Sequence, residues 1–427
     1  MRFFLLGLLV LGACERRAVA PAAPSPTAPV VPATPEKVVR EVARGSILAV
    51  GDIMMHGMVL RSAEHHDVRG EDGVSANHGG FDPLFASVAG LVSDADLAFG
   101  NLETPVAPQR GVPAPRLSEN APVFNAPIDL LDGLTAAGFD VLSLANNHSY
   151  DQERVGLEET LEHLSMSSLT ALGIGATCDQ AWAPRVLSAG EIRVGWIGAT
   201  DLYNHDLNAG DDEICVATLD EARVLREAQA ARQAGAEIVV VSVHWGVEYA
   251  PAPEARAAEL SRRLIEGGVD VILGHHPHVI QPVELYEAAD GRVGLIAYSL
   301  GNFVSNQAAW FRPGLHRLGT GEPRDGLALR FDVVRKDFGG GVVASTLANV
   351  TAIPLWTENN THSRQGREPV VIRPHLTRVL LDEARDHGAT ASAAGDAQGV
   401  IAAGEEASWL AERIEAVSTR VGPGLVP

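Results

Sequence analysis

Positive charge is the scarcest resource of this sequence. Its 427 residues carry 33 Lys+Arg against 54 Asp+Glu, a net charge of −21, and only Lys37 and Lys336 are lysines. A field of that sign repels nucleic-acid phosphates and anionic membrane surfaces, so nucleic acid is not an expected partner. An anionic substrate would need a local source of positive charge. The lack of lysine reads as arginine-biased codon usage and carries no functional meaning. Three cysteines, Cys14, Cys178 and Cys215, are too few and too scattered for a disulfide framework or a cysteine-rich zinc module. No internal repeat is present. Disorder throughout is excluded, because 46% hydrophobic residues supply a large buried core.

The N-terminal apolar run, Phe3 to Leu11 after Arg2, is too short to span a bilayer as a helix but has the form of a secretory signal. Leu11-Gly12-Ala13-Cys14 resembles the bacterial lipobox, which implies lipidation at Cys14; the alternative is an ordinary signal peptide cut nearby. Both readings place the chain in the cell envelope, periplasmic or on the outer surface, with a lipid as its link to the membrane in the first. There Cys178 and Cys215 could pair, and the sequence leaves open whether they meet. Six prolines between Pro21 and Pro35 favour an extended tether. Glu36 to Arg44 is expected as a short helix leading into a fold that starts near Gly45. The organisation is therefore a signal with lipobox over 1–14, a linker over 15–44, a main domain over 45–355, and a helical, partly disordered extension over 356–427.

Short apolar runs alternate with helical patterns. Ser46–Gly51, Asp96–Gly100, Asp140–Leu144, Ile192–Ile197, Glu237–Val243, Val269–Gly274 and Gly294–Tyr298 read as buried strands. Thr218-Leu-Asp-Glu221 has capping-box spacing ahead of a helix to about Ala234, and Pro253 to Gly267 reads as another helix. This alternation predicts an α/β domain. Pro105–Pro122 and Asn302–Gly326 read as long loops overhanging one face. The Ala/Gly/Asp/Glu-rich tail after about Arg378 is expected to be peripheral, with one helix from Glu405 to Arg420.

Nearly every apolar run ends in groups able to bind a metal: Asp52, Asn101 and Glu103, Asn146, Asn147 and His148, His244, and His275, His276 and His278. In an open α/β fold the carboxyl ends of the strands share one edge, so these residues can converge. His276 and His278 flank Pro277, which holds the loop extended and lets the two rings reach neighbouring positions. His148 carries an imidazole, a side chain suited to proton transfer to a leaving group. His56, His65, His66 and His78 read as surface residues, with His56 set apart by its nearness to Asp52.

Gly51-Asp52-Ile53-Met54-Met55, Gly100-Asn101-Leu102-Glu103, Ala145-Asn146-Asn147-His148, Val243-His244-Trp245-Gly246-Val247-Glu248-Tyr249, Gly274-His275-His276-Pro277-His278 and Tyr298-Ser299-Leu300-Gly301-Asn302-Phe303 together resemble the motif series of the CapA family, the poly-gamma-glutamate capsule synthesis proteins. The resemblance implies a four-layer αββα sandwich of metallophosphoesterase type. It also implies a site for one or two divalent metal ions: Asp52 and His278 on the first, Glu103 bridging, Asn147, His244 and His276 on the second. His148 matches the catalytic histidine, Asn146, Glu248 and Asn302 are the candidate substrate-binding residues, and His275 has no counterpart. Met54 stands where the wider superfamily has a histidine, which thins the first position and leaves a mononuclear site, or rescue by His56, open. Nitrogen and oxygen donors without thiolate fit Mn, Fe or Zn. The function implied is a metal-dependent hydrolase acting on a phosphoester or on an anionic capsule polymer. The alternative is a non-catalytic factor that binds or anchors the polymer.

Overall fold

The computed structural model describes residues 39–110, 122–364 and 368–427. Cys14 and the proline-rich tether lie outside them, as does most of the loop expected between Pro105 and Pro122.

The first half of the chain lays down β1 (Arg40–Ile53), α1 (Gly57–His66), α2 (Phe81–Ser93), β2 (Leu97–Leu102), α3 (Asp129–Ala137), β3 (Val141–Ser143), α4 (Glu153–Met166) and β4 (Thr170–Leu172). β1 to β4 pair in parallel, in sequence order. A small ribbon of β5 (Ile174–Gly175) and β8 (Cys215–Val216) then brackets α5 (Cys178–Trp182), β6 (Arg185–Ala189) and β7 (Ile192–Thr200). The chain continues through α6 (Glu221–Gln233), β9 (Ile238–His244), α7 (Ala255–Glu266), β10 (Val271–His275), β11 (Val283–Glu287) and β12 (Val293–Ala297). These complete a second sheet in the order β11-β12-β10-β9-β7-β6. Finally β13 (Asn302–Val304), β14 (Asp325–Asp337), β15 (Val343–Asn359) and β16 (Ile372–Leu376) return to the first sheet, and α8 (Thr377–Ala393) and α9 (Ala397–Val421) close the chain.

Strand alternation sorts the side chains into three cores. On β1, Leu48 and Val50 face outward with Phe85 and Leu134 of α2 and α3. Ile47 and Ala49 face inward and meet Trp196, Val240 and Leu273 of the other sheet. On β9, Val239, Val241 and Val243 turn away from that interface to Val224 of α6 and Leu264 of α7. Helices, sheet, sheet, helices: this is the four-layer αββα sandwich. The stacked rings of Phe99 and Trp196, 5.5 Å apart, sit between the sheets.

All seven expected strands form, and three local expectations change. Residues 40–44 extend β1 instead of forming a helix, because Arg40–Ala49 pairs antiparallel with Leu329–Asp337 of β14 and satisfies its backbone groups there. The cap of α6 is Asp220, which accepts from the Arg223 N–H at 2.7 Å, not Thr218. The tail is not peripheral: α9 inserts Val417 and Val421 into the inter-sheet core and buries Arg413 against Asp325.

Candidate metal centre

The strand ends converge because the register puts them there. Asp52 pairs across the first sheet with both Asn101 and Asn302, and His275 pairs with His244 in the second. Close backbone approach fixes the strand ends against the loop from Tyr298 to Asn302. A Cβ on Gly51 would stand 1.8 Å from the Gly301 carbonyl oxygen, and one on Gly274 1.9 Å from that of Tyr298, so only glycine fits. His276 and His278 adopt left-handed φ of 94° and 57°, a costly conformation that turns both rings toward the first sheet's donors.

Asp52 is fully buried. Its Oδ1 accepts from Asn101 Nδ2 at 2.8 Å and its Oδ2 lies 3.0 Å from His278 Nδ1, which is also 3.1 Å from Asn302 Oδ1. His275 Nδ1 is 3.3 Å from Asp52 Oδ1 but out of hydrogen-bond alignment, so both of its buried ring nitrogens lack a partner. His244 Nε2 meets Asn147 Oδ1 at 3.0 Å, and its Nδ1 lies 3.4 Å from Asn101 Nδ2.

Glu103 is the centre of the arrangement. Its Oε1 is buried and makes no hydrogen bond, yet three imidazole nitrogens surround it: His244 Nε2 and His278 Nε2 at 3.8 Å and His148 Nε2 at 4.0 Å. Those distances exceed hydrogen bonding and match donors arrayed around a shared point. His276 Nδ1 is likewise buried without a partner. Donor atoms of Asp52, Glu103 and His244, and of Glu103, His276 and His278, lie within 4.8 Å of one another in each set. Buried, unpaired donors are costly unless something binds them, so the residues present fit a divalent cation. Nitrogen and oxygen ligands without thiolate suit such an ion and leave its identity open.

The electrostatics agree. Burial, then the charges of Asp52, Glu248 and Asp151, push the Glu103 carboxyl well above its usual range. Burial pushes Asp52 up as well, but the His275 ring beside it and the hydrogen-bonded His278 outweigh burial and hold Asp52 well below the usual range. Burial, reinforced by His276, keeps His244 neutral, and burial with His278 lowers His276 to about 4. Neutral imidazoles are the form that ligates.

His148 lies against this cluster with Nδ1 2.7 Å from Asp151 Oδ2, and Phe124 stacks on its ring at 4.2 Å. Asn204 links Asn147, whose Nδ2 donates to it at 3.2 Å, with His148, whose Nε2 lies 3.4 Å from its own Nδ2.

Among the candidates named from sequence, Asp52, Glu103, Asn147, His244, His276 and His278 come together, with His148 at their edge. Asn146 lies behind, donating to the Leu102 carbonyl at 2.9 Å and accepting from the His148 N–H at 3.1 Å. Asn302 backs His278, while Glu248 is exposed near the opening. His56 packs against Phe124 with ring centroids 4.8 Å apart and planes tilted by 53°, belongs to neither donor set, and is held neutral by burial and by His278 and His148, its pKa lowered to about 3. Sequence reasoning missed the roles of Asn101, Asp151 and Asn204. Asn101, two residues before Glu103 in its motif, and Asp151, three after His148, offered a signal; Asn204 lies in a loop that offered none.

An αββα sandwich with mixed nitrogen and oxygen donors at the strand ends defines a metallophosphoesterase-like protein with a candidate metal centre. Residues 46–307 match the family described as bacterial capsule synthesis protein PGA_cap, and the chain belongs to that family. It is similar to the capsule biosynthesis protein CapA of Bacillus anthracis, 29% identical over 276 residues, or 64% of this chain and 62% of that protein. The PGA biosynthesis protein CapA of Bacillus subtilis (strain 168) is 30% identical over 273 residues, 62% of this chain and 63% of that protein. The match thus spans just under two thirds of these curated relatives. Among solved structures, the calcineurin-like phosphoesterase YfkN from Bacillus subtilis aligns with a TM-score of 0.38 and 13% identity over 72% of this chain and 92% of that one. The NAD nucleotidase NadN of Haemophilus influenzae aligns with a TM-score of 0.38 and 14% identity over 77% of this chain and 54% of that one.

Proposed function

We propose that the protein is an envelope-tethered, metal-dependent hydrolase of capsule-polymer synthesis, acting on a phosphoester or on the anionic polymer itself. The observation that carries this reading is the bare Glu103 Oε1 among three imidazole nitrogens at 3.8–4.0 Å. Asp52, Glu103, Asn147, His244, His276 and His278 would hold one or two divalent ions. Such ions lower the pKa of water and polarise a phosphoryl or carbonyl oxygen, and they supply the local positive charge that a −21 protein otherwise lacks.

The remaining work falls to the chain's own residues. Asp151 accepts from His148 Nδ1, so the ring presents Nε2 to the site, where it can take up a proton from the attacking water and, as the doubly protonated ring, pass it to a departing oxygen or nitrogen. Asn146 holds the His148 backbone, Asn302 holds His278, and Asn204 ties His148 to Asn147. Exposed Glu248 at the opening is the candidate contact to substrate, with Asn146 and Asn302 acting from behind as positioning groups. The tether and a lipid at Cys14 would hold the catalytic body near the envelope; a disulfide between Cys178 and Cys215 suits an oxidising compartment.

Metal analysis of purified protein combined with turnover of bis-p-nitrophenyl phosphate and of poly-gamma-glutamate, beside a His148→Ala control, tests the reading. Bound metal with turnover lost in the variant supports it. Bound metal with no turnover of either compound transfers the reading to polymer binding, a role that Met54, standing where the wider superfamily has a histidine, also favours. Metal-free protein under replete conditions removes the site altogether.

A further inference from the structure

A cavity of about 390 Å³ opens between the loop that follows β13, the end of β15, β16 and helices α8 and α9. Arg324 lines it. Its residue is only 5% exposed, its Nε donates to the Thr357 carbonyl at 2.8 Å and its Nη1 to that of Phe311 at 3.4 Å. The guanidinium carbon stands 4.4 Å above the Trp356 ring. Among the described residues no carboxylate reaches ion-pair distance. Its neighbours are already committed: Asp325 to Arg413, and Glu358 to Arg373 at 2.8 Å and His375 at 3.0 Å. Burial outweighs the attraction of nearby Glu358 and, with Arg413 as an added like charge, lowers Arg324 to about 10.

A buried cation without a carboxylate in direct contact is costly, and in a chain of net charge −21 it is the opposite of what composition alone would leave over. A guanidinium with an uncommitted edge is matched by a carboxylate. Arg312 also lines the cavity but is engaged by the His362 carbonyl, and Arg373 and His375 are engaged by Glu358; what remains complements Arg324. Trp356, Trp409 and Phe311 form an aromatic wall, with ring centroids 5.2 and 5.9 Å apart. The exposed carboxylates of Glu383 and Glu406 stand on α8 and α9 at the rim. A cation at depth, an apolar wall and acids outside repel a polyanion and fit a small zwitterion.

From this arrangement we infer that the cavity binds a free α-amino acid, carboxylate on Arg324, side chain on the aromatic wall and ammonium toward Glu383 and Glu406. The site is separate from the candidate metal centre and stands or falls independently of the hydrolase reading.

Isothermal titration of the whole protein with L-phenylalanine, L-glutamate, N-acetyl-L-phenylalanine, phenylalaninamide and inorganic phosphate tests it. Saturable binding of at least one free amino acid is expected. Loss of either charged end should weaken the phenylalanine series at least ~10-fold, as charge-assisted hydrogen bonds imply. Arg324→Gln should abolish binding. Should that variant fail to fold, the surface double variant Glu383→Gln/Glu406→Gln decides: amino-acid binding weakened with N-acetyl-phenylalanine unaffected supports the site. Equal affinity for free and blocked phenylalanine, unchanged affinity in either variant, binding of phosphate alone, or no saturable binding overturns it.

Discussion

His148 and Asp151 form a buried dyad: Nδ1 and Oδ2 are 2.7 Å apart, and neither side chain is more than 5% exposed. Asp151 Oδ2 also accepts from the Phe124 N–H at 2.7 Å, so one carboxylate holds both the histidine and the ring stacked on it. With Nδ1 engaged, Nε2 is the atom left to face Glu103. Asp151→Asn keeps the volume but removes the preference for that tautomer. It should lower kcat on a phosphodiester by ~10²–10⁴-fold, the usual worth of a general acid, with KM and bound metal little changed. Steady-state kinetics beside metal analysis checks this; a variant that loses metal as well would make Asp151 a structural residue.

Glu103 gives a prediction about stability. Its carboxyl is raised by burial and by the charges of Asp52, Glu248 and Asp151, so the metal-free protein contains a destabilising cluster. A cation that binds only the folded state should raise stability by about 2.7 kcal/mol at one hundred times its Kd. Wild-type protein should therefore melt at higher temperature with added Mn or Zn than after chelation. Glu103→Gln should lose most of that difference while its chelated form melts no lower than chelated wild type. Differential scanning calorimetry on the four samples reads both effects.

The buried strands and the donors at their ends were legible because buried parallel strands are continuous apolar runs whose carboxyl ends are marked by the polar residues that follow; the four layers came only with the family resemblance. Asp52, Glu103, His244 and His276 announce themselves that way. β15 did not, because its first half is exposed and rich in Ala, Thr and Asn while its short apolar run, Ala352–Trp356, is broken by Pro354, and α8 hides in an Ala/Gly/Asp-rich stretch. Asn204 could not be read at all, since its contact with His148 spans 56 residues and depends on how a loop folds back. His275 looked incidental because its meaning lies only in its distance to Asp52.

Cys178 and Cys215 form a disulfide across a separation of 37 residues, at the base of the segment that carries Asn204. Loop-closure entropy assigns such a bridge up to about 4 kcal/mol. The double variant Cys178→Ser/Cys215→Ser should melt several degrees lower. Because Asn204 orients both Asn147 and His148, it should also lose activity before the fold is lost. Comparing the activity midpoint with the circular-dichroism midpoint in a thermal ramp measures this, and coincident midpoints would mean the bridge supports the fold alone.

Glu237, just before β9, joins the two sheets: its carboxylate receives Arg335 Nε of β14 at 2.7 Å and Ser345 Oγ of β15 at 2.7 Å. The hydrogen bond from Arg335, stronger than the opposing effect of burial, lowers its pKa from 4.5 to about 2. A carboxyl depressed on folding binds protons more readily in the unfolded chain. Its stabilisation is therefore complete above about pH 4.5 and drains away as pH falls toward 2. Glu237→Gln should cost stability at pH 7, where the ion pair is intact, and should show a shallower decline between pH 4.5 and pH 2 than wild type. Urea midpoints measured across that interval check the slope. Parallel curves for the two proteins would show that the contact between Glu237 and Arg335 contributes nothing to acid sensitivity, despite bridging the sheets.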